Sequence, residues 1–115
     1  MRRAISLTAA LGISLVLMAG SSASGKATKT VDVGDDFFDP ESLTIKEETT
    51  VKFKWIGEDE HNVFKQLGPG KYFESDNTDE TGFVYSHKFK KPGNYVLGCI
   101  LHEDMDMDLK VKKRR

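Results

Sequence analysis

From Met105 to Lys112 the chain alternates without a break. Met105, Met107, Leu109 and Val111 are apolar, while Asp106, Asp108, Lys110 and Lys112 are charged. A side-chain period of two belongs to a β-strand with one buried face; wound as a helix, the same residues would scatter their charges around the whole circumference. Val51-Lys52-Phe53-Lys54-Trp55 repeats the pattern, with Val51, Phe53 and Trp55 on one face and both lysines on the other. Tyr95, Leu97 and Cys99 share a face in Asn94–Cys99, Phe83–Phe89 alternates again, and Thr30–Val33 and Leu43-Thr44-Ile45 supply two shorter strands. His61–Phe64 reads as a short strand or the edge of one. Turn residues separate these runs: Asp35–Pro40, expected to tuck Phe37 and Phe38 against the core; Glu47-Glu48; Gly57–Glu60; Leu67–Gly70; and Lys91–Asn94, which reads as a hairpin turn. Residues 65–82 look irregular, and the acidic stretch Glu74–Glu80 looks like a solvated loop. About seven or eight short strands at this spacing predict an all-β sandwich or barrel.

A chain of 115 residues is enough for one small domain. Arg2 and Arg3 precede the apolar run Ala4–Gly20, and small residues follow at Ser21-Ser22-Ala23. Basic, apolar and small segments in that order are the pattern of a secretory signal peptide, here residues 1–23, leaving residues 24–115 as the domain. The expected location is periplasmic or extracellular; a membrane tether follows only if the signal is not cleaved. The formal net charge of −1 gives no reason to expect nucleic-acid binding. Without residues 1–23 the basic count falls from 17 to 15 against 18 acids, a net charge of −3. Five of the remaining positive charges are bunched at Lys110, Lys112, Lys113, Arg114 and Arg115, so the rest of the domain is more acidic than the total implies.

Cys99 is the only cysteine. In an exported protein it has no internal disulfide partner and, left exposed, would face oxidation. Taken alone it reads as a buried, inert core residue. Its neighbours argue for a metal: Cys99-Ile100-Leu101-His102-Glu103-Asp104-Met105 gathers thiol, imidazole and thioether within seven residues. One thiolate and two imidazoles in a trigonal set, with a weak axial thioether, are the ligands of a blue-copper centre. The remaining imidazole must come from elsewhere, and His61 in Glu60-His61-Asn62-Val63-Phe64 is the candidate. His87 shares strand parity with Tyr85 and Phe89 and reads as a partly buried structural side chain. A Cys99–His102 nucleophile and base would lack an orienting third group, so an enzyme is not expected.

The order of these parts resembles the cupredoxins of the plastocyanin, amicyanin and halocyanin type. The resemblance rests on Asp39-Pro40 before a strand, the Trp55 strand, Glu60-His61-Asn62-Val63-Phe64, Phe89 with Lys91-Pro92-Gly93-Asn94-Tyr95, then Cys99, His102 and Met105. It implies a Greek-key β-sandwich holding one copper ion that cycles between Cu(I) and Cu(II). It implies that Cys99, His61 and His102 form the trigonal plane and Met105 the axial contact, with Asn62 tying the two ligand loops together. His102 would be the solvent-side edge through which electrons pass to a redox partner protein, the carrier itself being a monomer with no small-molecule substrate. Met107 is the alternative axial ligand; on one strand it lies roughly 6–7 Å from Met105, so only one of them can sit over the metal. Met105 matches the amicyanin-like spacing and is the expected ligand.

Departures matter as well. Leu101 and Glu103 flank His102 where many members have proline, Glu103 and Asp104 place two acids directly after it, and Gly98 stands where plastocyanin has an aromatic residue. The acids would favour a basic partner over a largely apolar docking face, and Gly98 removes a second electron route. The leading expectation is a type 1 copper electron carrier. The alternatives are a non-redox protein for copper transport, storage or delivery, and a metal-free β-sandwich adaptor.

Overall fold

A computed structural model describes residues 27–114; the expected export signal, residues 1–23, lies outside them. The described residues form eight strands and no helix: β1 Thr28–Gly34, β2 Phe37–Asp39, β3 Ser42–Lys46, β4 Thr49–Trp55, β5 Phe64–Leu67, β6 Val84–Phe89, β7 Gly93–Cys99 and β8 His102–Lys112. They make two four-stranded sheets, in the orders β2-β1-β4-β6 and β3-β8-β7-β5. The chain changes sheet at every connection except β1–β2 and β7–β8. That crossing produces two parallel pairs, β1 with β4 and β3 with β8, among otherwise antiparallel neighbours. The all-β sandwich expected from the strand pattern, with the Greek-key crossings that the family resemblance implies, is therefore the observed fold.

Alternation decides which faces meet. In β4, Thr49, Val51, Phe53 and Trp55 are buried while Lys52 and Lys54 are exposed. In β8, Met105, Met107, Leu109 and Val111 are buried between exposed charges. The inward faces of the two sheets close over one core, which also takes Val31, Val33, Phe38, Phe89, Tyr95 and Leu97. Burying such side chains is worth about 1.5–3 kcal/mol each before entropy is counted.

Three local expectations change. Lys91-Pro92-Gly93 is not a hairpin turn: β6 pairs with β4, and β7 pairs with β8 and β5, so the segment is a corner between sheets. Alternation shows which face of a strand is buried but carries nothing about its partner. Of the two aromatics after Asp36, only Phe38 enters the core; Phe37 is 45% exposed, its ring lying against Gly34. The segment after Phe64 is a strand as far as Leu67, with an irregular register against β7. Its signal is masked by Lys65, which is buried yet keeps its ammonium partnered by the carbonyl oxygens of Pro69 and Gly70, at 2.9 and 2.6 Å.

His87 lies on β6, half-buried, stacked on Phe73 with ring centroids 3.8 Å apart and with Phe89 edge-on at 4.7 Å. Burial, with Lys65 nearby, pushes its pKa below the usual 6.5. The neutral ring therefore stabilises the fold in full above pH 6.5. As the pH falls through that value the unfolded chain takes up the proton first, and this stabilisation is lost. Stability measured against pH in urea should accordingly fall more steeply below pH 6.5 in the wild type than in His87→Phe; identical slopes would exclude a neutral buried ring. Leu97 is fully buried and pairs with Met107 across β7 and β8. Leu97→Ala should cost about 3 kcal/mol in the same titration.

Candidate metal centre

Three chain segments converge at one end of the sandwich: the β1–β2 turn at Asp35-Asp36, the β4–β5 connection carrying His61, and the β7–β8 turn between Cys99 and His102. His61 is held by its backbone. Its N–H donates to Thr78 O and its carbonyl accepts from Thr78 N–H, both at 3.0 Å. Thr78 O also accepts the indole N–H of Trp55 at 2.9 Å, which ties His61 to the core strand β4. One residue past Asn62, Val63 N–H donates to the buried Ser75 hydroxyl at 2.9 Å. The segment 74–80 is thus more than the solvated acidic loop its composition suggests: Ser75 and Thr78 brace the histidine from outside.

Cys99 closes β7. The β7–β8 ladder runs regularly through Leu97↔Met107 and Gly98↔Asp106, then breaks, so that Cys99 pairs with His102. The break leaves Glu103, Asp104 and Met105 without partners on β7 and folds His102 back over the thiol. Cys99 Sγ lies 3.5 Å from His102 Nδ1 and 4.0 Å from His61 Nδ1. The three donor atoms are all within 4.8 Å of one another. Metal–nitrogen and metal–sulfur bonds run at about 2.0–2.3 Å, so one ion can touch all three. Among the described residues this is the only such grouping of His, Cys, Asp and Glu. His61 is fully buried and Cys99 is 5% exposed, whereas the His102 side chain keeps 30% exposure.

Met105 is buried, one residue before Asp106, whose ladder partner Gly98 precedes Cys99. It therefore lies at the level of the thiol along the strands. Met107 faces Leu97, one step of the alternation deeper in the core. Asn62 joins the two halves of the site. Its side-chain Oδ1 accepts Ile100 N–H at 2.8 Å, and its own backbone N–H points to Cys99 Sγ at 3.5 Å.

The outer nitrogens of both imidazoles meet carboxylates. His61 Nε2 is 3.0 Å from Asp35 Oδ1, and His102 Nε2 is 3.2 Å from Asp36 Oδ1. Asp35 also accepts the backbone N–H groups of Glu58 and Asp59 at 2.9–3.1 Å. The His61 contact, followed by those two amides, holds its carboxyl down at about pKa 2. Gly57 makes this approach possible, because a Cβ there would sit 2.2 Å from Asp35 Oδ1. In the sequence these aspartates carry only a turn signal; nothing in their spacing connects them with His61 or His102. His87 is not part of this cluster.

The description of copper-binding proteins of the plastocyanin/azurin family matches residues 25–113. The chain belongs to that family. Its two imidazoles and one thiol, already gathered around a common point, are a donor set suited to one copper ion. A halocyanin from Natronomonas pharaonis is 34% identical over 71 residues, which cover 61% of this chain and 44% of that protein. The copper-containing nitrite reductase of Thermus scotoductus superposes with a TM-score of 0.69 at 25% identity over 86% of this cupredoxin but only 25% of the enzyme. The cupredoxin thus spans less than half of each of these two relatives. Plastocyanin from Dryopteris crassirhizoma superposes with a TM-score of 0.62 at 27% identity, over 72% of this chain and 99% of its own.

The Asn62–Ile100 bond is part-buried, with Asn62 enclosed and Ile100 58% exposed, so its loss costs the net worth of one hydrogen bond, about 0.5–1.5 kcal/mol. Asn62→Ala should lower the urea-unfolding free energy of the metal-free protein by about 1 kcal/mol. An unchanged midpoint would mean that Ile100 N–H is satisfied without the side chain.

Proposed function

We propose that this cupredoxin is a type 1 copper electron carrier, exported from the cytoplasm and working as a monomer between partner proteins, with His61, Cys99 and His102 as the strong ligands and Met105 as the weak axial one. The observation that supports this most is that protein contacts alone bring one donor atom each of His61, Cys99 and His102 within 4.8 Å of one another, with both Nδ1 atoms 3.5–4.0 Å from Cys99 Sγ. The bound copper would supply a one-electron couple between Cu(I) and Cu(II). The surrounding residues then act by holding still. Thr78 and Trp55 anchor His61, Asn62 fixes the Cys99 turn relative to it, and Asn62 N–H points at the sulfur. Hydrogen bonding and apolar surroundings at the cysteine sulfur are among the factors that tune such a centre.

The burial pattern supports a single route for electrons. His61, Cys99 and Met105 are closed off, and His102 alone of the four keeps a solvent-facing edge. Around that edge stand Asp36, Glu103 and Asp104, together with exposed Ile100 and Leu101. A partner with a basic rim and a small apolar centre fits this mixture. Copper delivery is less well supported: Met107, the thioether available to assist exchange, is 2% exposed and belongs to the core.

Adding Cu(II) to the purified protein should produce an intense thiolate-to-copper visible band and narrow copper hyperfine splitting. Both should be absent in Cys99→Ala; a pale spectrum identical in the two proteins would end the carrier reading. Met105→Leu should alter the band and raise the reduction potential by removing the axial donor, while Met107→Leu, a volume-conserving core change costing less than about 1.5 kcal/mol, should leave the spectrum intact. The reverse pattern would make Met107 the axial ligand.

A further inference from the structure

The turn Asp35-Asp36 contacts both histidines of the site from outside, one aspartate to each. Asp35 Oδ1 is 3.0 Å from His61 Nε2 and Asp36 Oδ1 is 3.2 Å from His102 Nε2. In both rings it is the other nitrogen, Nδ1, that faces the Cys99 sulfur. A carboxylate accepts a hydrogen bond and cannot give one, so each contact favours the tautomer with the proton on Nε2. That leaves the Nδ1 lone pair turned inward. Carboxylates placed behind ligand histidines in this way fix ring orientation and raise ligand basicity, and removing one typically costs 10–100-fold in metal affinity or activity.

The turn is shaped for the task. Gly34 and Phe37 pair across it, leaving Asp35 and Asp36 as the two linking residues. Asp36 has φ 74°, in the left-handed region that aspartate tolerates better than most side chains. Asp35 is held by the amides of Glu58 and Asp59. Asp36 is different: among the described residues its carboxylate meets only His102 Nε2. A purely structural turn accounts for Asp35, but it gives no reason for the Asp36 contact.

Building on the copper-site reading above, we propose that Asp35-Asp36 is a paired carboxylate clamp. It sets the tautomer and ring plane of both imidazoles and, through its negative charge, favours Cu(II) over Cu(I). Asp36 is the positioning residue for the exposed ligand His102. Asp35 does the same for His61 while also joining the β1–β2 turn to the β4–β5 connection.

The test compares Asp36→Asn and Asp36→Ala with Asp104→Asn. Asp104 is an exposed acid on the same rim with no histidine contact among the described residues, so its substitution reports long-range charge alone. With the copper-loaded protein, Asp36→Asn should shift the Cu(II)-over-Cu(I) preference about tenfold toward Cu(I), a rise of 59 mV for a one-electron couple. Asp104→Asn should give less than a third of that shift. Equal shifts would overturn the clamp. Nitrogen-15 NMR of the metal-free protein, recorded at a pH where the ring-nitrogen shifts no longer change, gives a second readout. His61 and His102 should carry the proton on Nε2 in the wild type, and His102 should become a tautomer mixture in Asp36→Ala. An unchanged His102 tautomer would also overturn the proposal. If the wild type gave no blue band, the carrier reading would fail by itself, and the metal-free tautomers would then decide the clamp. Asp36 is exposed, so these variants should fold normally; circular dichroism checks this.

Discussion

One hydrogen bond, from Ile100 N–H to Asn62 Oδ1 at 2.8 Å, joins parts of the chain 38 residues apart, and the geometry of the site depends on it. On one side lies the connection that leaves β4 and carries His61. On the other lies the turn that ends β7 at Cys99 and opens β8 at His102. The bond is short and half-buried, and it is formed between an enclosed side chain and a backbone whose position β7 already sets. Thr78 adds a second brace, its carbonyl shared between His61 N–H and the Trp55 indole. The donor atoms therefore stand together because the polypeptide holds them there. A site assembled by the polypeptide resists the change in coordination that the two oxidation states of copper would otherwise prefer, and a one-electron carrier needs that resistance.

The same crossings between sheets give the domain an electrical direction. Acids gather at the metal end: Asp35 and Asp36 in one turn, Glu58, Asp59 and Glu60 in the next connection, Glu103 and Asp104 beside His102. The far end holds the β3–β4 turn, the β6–β7 corner and the end of β8, drawn together by Glu47 N–H to Lys112 O and Glu48 N–H to Phe89 O. Lys46, Lys88, Lys90, Lys91, Lys112, Lys113 and Arg114 are found there. A net charge near zero thus conceals two poles of opposite sign. Long-range attraction acts on that distribution and not on the total, so a basic partner of the kind proposed would be turned toward His102 before contact, an effect that added salt weakens.

The readable parts of the fold were those in which a short stretch carries its own pattern. β4 and β8 alternate so regularly that face and burial follow directly, and Cys99, His102 and Met105 lie close enough in sequence to suggest a common point. What could not be read was pairing across distance. The Lys91-Pro92-Gly93 corner looks like a hairpin because turn chemistry is the same whether the next strand stays in the sheet or leaves it. Lys65 was hidden because its buried ammonium is satisfied by two carbonyl groups that only the folded loop presents. Asp35 and Asp36 carry a turn signal and form a turn; their contacts with His61 and His102 arise because β1 runs parallel to β4 and brings its end to the same edge. Their reach toward His61 also depends on the absence of a side chain at Gly57, a negative signal that no local pattern announces.

On the carrier reading, Gly98 is one such missing side chain that bears on the route of electrons. An aromatic residue before the cysteine would offer electrons a second path along the outer face of the β7 sheet. Here that face is occupied: a Cβ on Gly98 would lie 2.3 Å from Gln66 Nε2, and that amide donates to Asp106 Oδ1 at 2.6 Å. β5 therefore supplies a polar side chain that seals the strand where a ring would otherwise stand. With Gly98 covered, Cys99 and Met105 buried and His61 fully enclosed, the only group of the centre that reaches the surface is the edge of His102. Any residue that sets the plane of that ring also sets how well the centre couples to whatever docks against it.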